Sequence, residues 1–157
     1  MSGSAGLSVM SEPSSVAEEI SATFRVDLQP SAGELAGTSR HDFTKVWAGG
    51  MDGASRGIML SAGDPGSGTA GYVALETFDG NIGGRRGTIA LQQFGTMGNG
   101  EAVLRYELVP GSGTGELAGF GGVLELVAGD GTHEVVLRWW QGQPDDDILG
   151  SPHAPAR

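Results

Sequence analysis

The stretch VPGSGTGELAGFGG, Val109 to Gly122, decides how this chain is read. It follows LRYELV, a run that alternates like a strand, and inside it GTGELA places Gly113, Gly115 and Ala118 at the GxGxxA spacing of a dinucleotide-binding turn. That fingerprint works only where a helix begins within it, because the pyrophosphate is held by free backbone N–H groups at the helix start. The continuation, GFGGVLELVA, carries more glycines and then alternates apolar with polar residues, so no helix can be drawn. No lysine follows the glycines, which removes a P-loop as well. The stretch therefore reads as a reversal between two strands. Pro110 ends the first, Gly111 to Gly115 let the backbone turn, and Gly119, Gly121 and Gly122 predict a bend or bulge at the entry to the second.

Working outward, the same grammar recurs. Ala22, Phe24, Val26 and Leu28 alternate with polar residues, and runs of the same kind follow at Arg40–Trp47, Ser55–Ala62, Gly71–Phe78, Gly87–Met97, Ala102–Val109, Gly121–Ala128 and His133–Trp140. Turn residues separate them: GGMDG, GDPGSGTAG, Asp79-Gly80, the hairpin signal Gly98-Asn99-Gly100, and Asp130-Gly131. The 29 glycines follow no three-residue period and fall between apolar runs, as short strands and tight turns require. Eight strands joined in sequence by short turns must run antiparallel, and closure is what removes their exposed edges. The expectation is all-β: an eight-stranded antiparallel up-and-down barrel over residues 21–141, with a two-sheet sandwich as the alternative. Residues 1–20 read as a flexible leader and 142–157 as a flexible tail.

At 157 residues the chain is one domain's worth, and its formal net charge of −10 gives no basic stripe for a nucleic acid. Lys45 is the single lysine. Without cysteine there are no disulfides, thiolate nucleophiles or cysteine-held metals. His41, His133 and His153 form no ligand-spaced pair, and no serine sits in a GxSxG elbow. No signal segment or long apolar run is evident, so a cytoplasmic protein without membrane, metal or cofactor is expected, with homo-oligomerisation open.

Polar residues inside apolar strands are the candidates for chemistry. Glu76 shares a face with Tyr72, Ala74 and Phe78, and Gln92 shares one with Thr88, Ala90 and Phe94. If these faces line the barrel, a carboxyl and an amide stand in an apolar, aromatic pocket, where burial raises a carboxyl's pKa and suits it to acid–base work. If Val73 and Leu75 face inward instead, Glu76 is solvated. Arg105 reads as a surface residue, and Trp47, Trp139 and Trp140 as core near strand ends.

GYVALETFDGNIGGRRGTIALQQFGTM and LRYELVPGSGTGELAGFGG resemble the bacterial family known as domain of unknown function 3224. The resemblance runs from about Ala22 to Trp140, and its most specific parts are Leu75-Glu76, the glycine-spaced run Gly84–Gln92, and VPGSGTGELAG. It implies an allene oxide cyclase-like barrel with an internal cavity, and it implies that Glu76 and Gln92 face that cavity. Gln93 stands where the family commonly has histidine, so no imidazole role carries over. The functional expectation is a barrel that binds a hydrophobic small molecule and cyclises or isomerises it without a cofactor, Glu76 and Gln92 being catalytic and Tyr72, Phe94, Tyr106 and Trp139 shaping the pocket. The alternative is a non-catalytic carrier using the same cavity.

Overall fold

The structure, a computed structural model, describes residues 17–127 and 132–142. Eight strands run in order, β1 (Glu18–Ser31), β2 (Ser39–Gly49), β3 (Met51–Asp64), β4 (Thr69–Ile82), β5 (Arg85–Gly98), β6 (Glu101–Leu108), β7 (Phe120–Val127) and β8 (His133–Gln141). Each pairs antiparallel with its neighbours, and β8 returns to β1, closing the barrel. Sequence alternation and closure agree, because a closed barrel of this strand number gives every strand one enclosed and one solvated face. Among the described residues no helix is long and apolar enough to cross a membrane.

The strands are longer than the apolar runs suggest. β1 already begins at Glu18, so Glu18–Ile20 belong to the barrel and not to a leader; Glu18 pairs with Trp139. The leader before residue 17, the tail after residue 142 and the turn expected at Asp130-Gly131 lie outside the described residues. The β4–β5 turn falls not at Asp79-Gly80, which stay within the strand as partners of Ala54 and Gly53, but at Gly83-Gly84. Both of these glycines have positive φ, 59° and 86°, which favours glycine over side-chain-bearing residues. Asn99 and Gly100, φ 53° and 79°, make the β5–β6 hairpin as expected.

After β6 the chain does not reverse at once. Val109 N–H donates to Ala90 O (2.8 Å) and Thr114 N–H to Thr88 O (2.8 Å), so this segment continues along β5 while leaving β7 aside. Gly87 permits the approach, because a Cβ there would stand 2.1 Å from Thr114 O. A single helical turn, Gly115–Leu117, then drives the fully buried Leu117 into the end of the barrel. This turn is too short to offer the helix start that dinucleotide binding needs. β6 and β7 consequently share only two residue pairs, Glu107 with Val123 and Leu108 with Gly122. No bulge opens β7, whose pairing with β8 is continuous from Phe120 to Val127. Gly121 and Gly122 serve close packing instead: Cβ atoms there would stand 3.0 Å from Trp140 Nε1 and 2.9 Å from Trp139 Cβ.

The core is lopsided along the barrel axis. Trp47, Met51, Phe78, Ile82, Ile89, Leu91, Leu108, Leu117 and Leu137 are almost fully buried and fill the end where β4 meets β5. Phe120 stacks on Trp139 at 4.3 Å, and Trp47 meets the Phe78 edge at 6.0 Å. The opposite end is not packed in this way.

Candidate functional site

In β2 the run FTKVW turns Phe43, Lys45 and Trp47 inward while Val46 is exposed. The chain's single lysine is therefore enclosed, with Lys45 5% and Glu76 2% exposed. Register brings the two together: Lys45 pairs with Ser55 on β3, and Gly57, two residues on, pairs with Glu76 on β4. Lys45 Nζ donates to Glu76 Oε1 (2.8 Å) and to the Tyr106 hydroxyl (2.7 Å), and Tyr106 in turn donates to Glu76 Oε1 (3.0 Å). The other carboxylate oxygen accepts from Ser55 Oγ (2.6 Å), which itself accepts from Trp47 Nε1 (3.0 Å). The ammonium also lies 4.3 Å from the centre of the Phe24 ring and 4.8 Å from that of Tyr106, a cation–π setting.

Every charge in this cluster is matched. Burial pulls the Lys45 ammonium below its usual range, against the opposing pull of the Glu76 carboxylate. Burial pushes the Tyr106 phenol well above its ordinary value, and the adjacent carboxylate pushes the same way. Glu76 is therefore not a lone carboxyl in an apolar wall. It is the acceptor for three donors, one of them cationic.

Beyond this cluster the barrel opens into an apolar chamber of about 390 Å³. Its inward lining comes from His41 of β2, Met59 and Ser61 of β3, Tyr72 of β4, Gly95 and Met97 of β5, and Ala102 and Leu104 of β6. Gly95 lies directly opposite Tyr72, and a Cβ there would fall 2.6 Å from the Tyr72 ring, so the glycine lets that ring lie across the wall. Gln93 Nε2 donates to the Tyr72 hydroxyl oxygen (2.6 Å). The half-buried phenol is raised above its ordinary value by burial, partly offset by the Gln93 bond. His41 Nδ1 is buried and has no hydrogen-bond partner among the described residues.

Of the six residues that the sequence nominates, the structure turns four inward and two outward. Glu76 and Tyr106 meet in the charged cluster, Tyr72 lines the chamber, and Trp139 belongs to the packed end. Gln92 and Phe94 are corrections. Both point outward; Gln92 donates to Glu107 Oε2 (2.7 Å) on the surface, and Phe94 is 44% exposed. The inward residues of β5 include Ile89, Leu91 and Gln93, one step out of phase, because β5 pairs Leu91 with the inward Glu76. Arg105 is a surface residue beside Glu107. Sequence reasoning gives no site role to Lys45, Ser55, His41 or Gln93. The signal for Lys45 is present, since it alternates in phase with Phe43 and Trp47.

A closed eight-stranded up-and-down barrel, packed at one end, charged but neutral at its waist and open at the other end, is the class that these features define. The chain belongs to the family described as protein of unknown function (DUF3224), whose model matches residues 20–139. A solved structure from the same family, a protein with unknown function from Shewanella oneidensis MR-1, is similar at 33% identity and a TM-score of 0.74, over 81% of this chain and 98% of that one. No curated protein matches the chain.

Proposed function

We propose that the barrel binds a hydrophobic small molecule in the chamber between His41, Tyr72 and Leu104. The observation that carries this reading is the asymmetry of the interior. Large side chains fill one end, whereas the other holds an open cleft of about 390 Å³ with an apolar lining and few polar groups. That is the size and composition of small-molecule sites generally. A barrel serving only as scaffold has no use for such space, since eight strands can be filled by their own side chains.

Within this reading, binding is better supported than turnover. Both oxygens of Glu76 are engaged by donors, and Ala74 stands between Glu76 and Tyr72 on the same face of β4. Gln92 lies outside the barrel. A carrier or sequestering protein therefore fits the geometry better than a cyclase or isomerase resting on Glu76 and Gln92. The test is titration with the neutral, apolar fluorophore N-phenyl-1-naphthylamine, followed by its emission. One saturable site in the parent protein, abolished by Leu104→Trp, is the expected result. Undiminished binding to Leu104→Trp would remove the chamber as the site.

A further inference from the structure

We infer that the ligand of this chamber is an uncharged molecule bearing one hydrogen-bonding oxygen, a ketone, ester or alcohol on an apolar body, and not a carboxylate or other anion. The inference rests on the binding reading above and names the chemistry of what is bound. Three observations carry it, and each bears on charge.

First, the lining contains no Lys, Arg, Asp or Glu. An anion entering an apolar cleft loses part of its hydration and needs a fixed cation to replace it. Second, the one buried cation among the described residues is already spent. Lys45 is paired with Glu76 and capped by Tyr106, so the waist of the barrel presents a neutral pair and not an anchor. Third, the formal net charge of −10 opposes the approach of an anion from solution.

The polar groups that do line the chamber suit a neutral oxygen. The Tyr72 oxygen accepts from Gln93, and its own O–H has no acceptor among the described residues, so it can donate to a ligand carbonyl or hydroxyl. His41 Nδ1, on the other side of β3 from Tyr72, is a buried polar atom of the lining with no partner among the described residues. Buried polar atoms are almost always satisfied, and an unpartnered His41 Nδ1 together with a Tyr72 O–H with no acceptor among the described residues is matched by a ligand carrying a complementary group. Tyr72 is thus the specificity-determining residue, and Gln93 the residue that positions it.

The experiment compares methyl octyl ketone, decane and decanoate as competitors for N-phenyl-1-naphthylamine on the full chain at neutral pH. The ketone is expected to bind about tenfold or more tightly than either decane or decanoate. In Tyr72→Phe the ketone falls to the level of decane while decane itself is unchanged, a result that a collapsed chamber would not give. Decanoate binding as tightly as the ketone overturns the inference while leaving the chamber as the binding site. So does a ketone that Tyr72→Phe binds as well as the parent. If neither the fluorophore nor any competitor binds, the proposed function fails first and this inference with it.

Discussion

Neutralising Lys45 and Glu76 one at a time and then together tests the central feature of the interior. Both side chains are almost fully enclosed and 2.8 Å apart. Removing one partner of a buried pair leaves the other charge uncompensated, at a cost of about 3–5 kcal/mol. Lys45→Met and Glu76→Gln should each lose about that much, out of roughly 5–15 kcal/mol for a domain of this kind. In the double variant no charge is stranded, and the amide introduced by Glu76→Gln can still meet Ser55 and Tyr106. The residual cost is then about 1–3 kcal/mol, the range for imperfectly satisfied buried hydrogen-bonding groups. The double variant should therefore be more stable than either single, with a coupling of several kcal/mol. Urea unfolding followed by tryptophan emission reads this directly, because Trp47 donates to Ser55 within the same cluster. The midpoints should shift while the slope stays constant. Additive losses, to within about 0.5 kcal/mol, would show that the pair is not coupled and would refute the reasoning. Single losses below about 1 kcal/mol would show the pair to behave as an exposed one.

Three further outcomes follow from the geometry. Leu117→Ala removes the residue that seals the packed end and should cost about 2–5 kcal/mol by the same urea assay without weakening fluorophore binding at the far end. Gln92→Ala and Phe94→Ala should leave that binding unchanged, since both side chains are outside; a tenfold loss in either would return the outer face to the site. The chain's two tyrosines are both raised above their ordinary value, so ultraviolet titration of the folded protein should show phenolate only above the pH at which the urea-unfolded chain shows it. The linked stability falls as pH rises through the unfolded tyrosine value, near 10, because the unfolded chain then binds fewer protons. Lys45, lowered by burial, contributes with the opposite sign between its folded value and 10.5, so Lys45→Met should steepen the alkaline loss.

Much of the architecture was legible from local rules. Period-two alternation marked every strand, Asn99-Gly100 marked its hairpin, and the glycines after Pro110 ruled out a nucleotide-binding helix because none could start there. Strand ends were less legible. Asp79-Gly80 has turn chemistry, yet Gly83-Gly84 has it more strongly, and pairing of Asp79 and Gly80 with β3 keeps them extended.

The candidate site divides along a sharper line. Alternation states which residues of one strand share a face, and this was enough to group Tyr72, Ala74, Glu76 and Phe78. It does not state which face is enclosed, and that depends on register with the neighbouring strands. For β4 the inward choice was correct; for β5 the pairing of Leu91 with Glu76 turned Gln92 and Phe94 outward and brought Gln93 in. Lys45 shows the same limit most plainly. A lysine in a strand is ordinarily solvated, and its burial is tolerable only because closure carries Glu76, Tyr106 and Ser55 to it from three other strands. The sequence by itself determined that this chain is a run of eight antiparallel strands and where most of it turns. Only the tertiary structure decided that its one lysine is neutralised inside and that open space lies beyond it, because both depend on contacts between residues far apart in the chain.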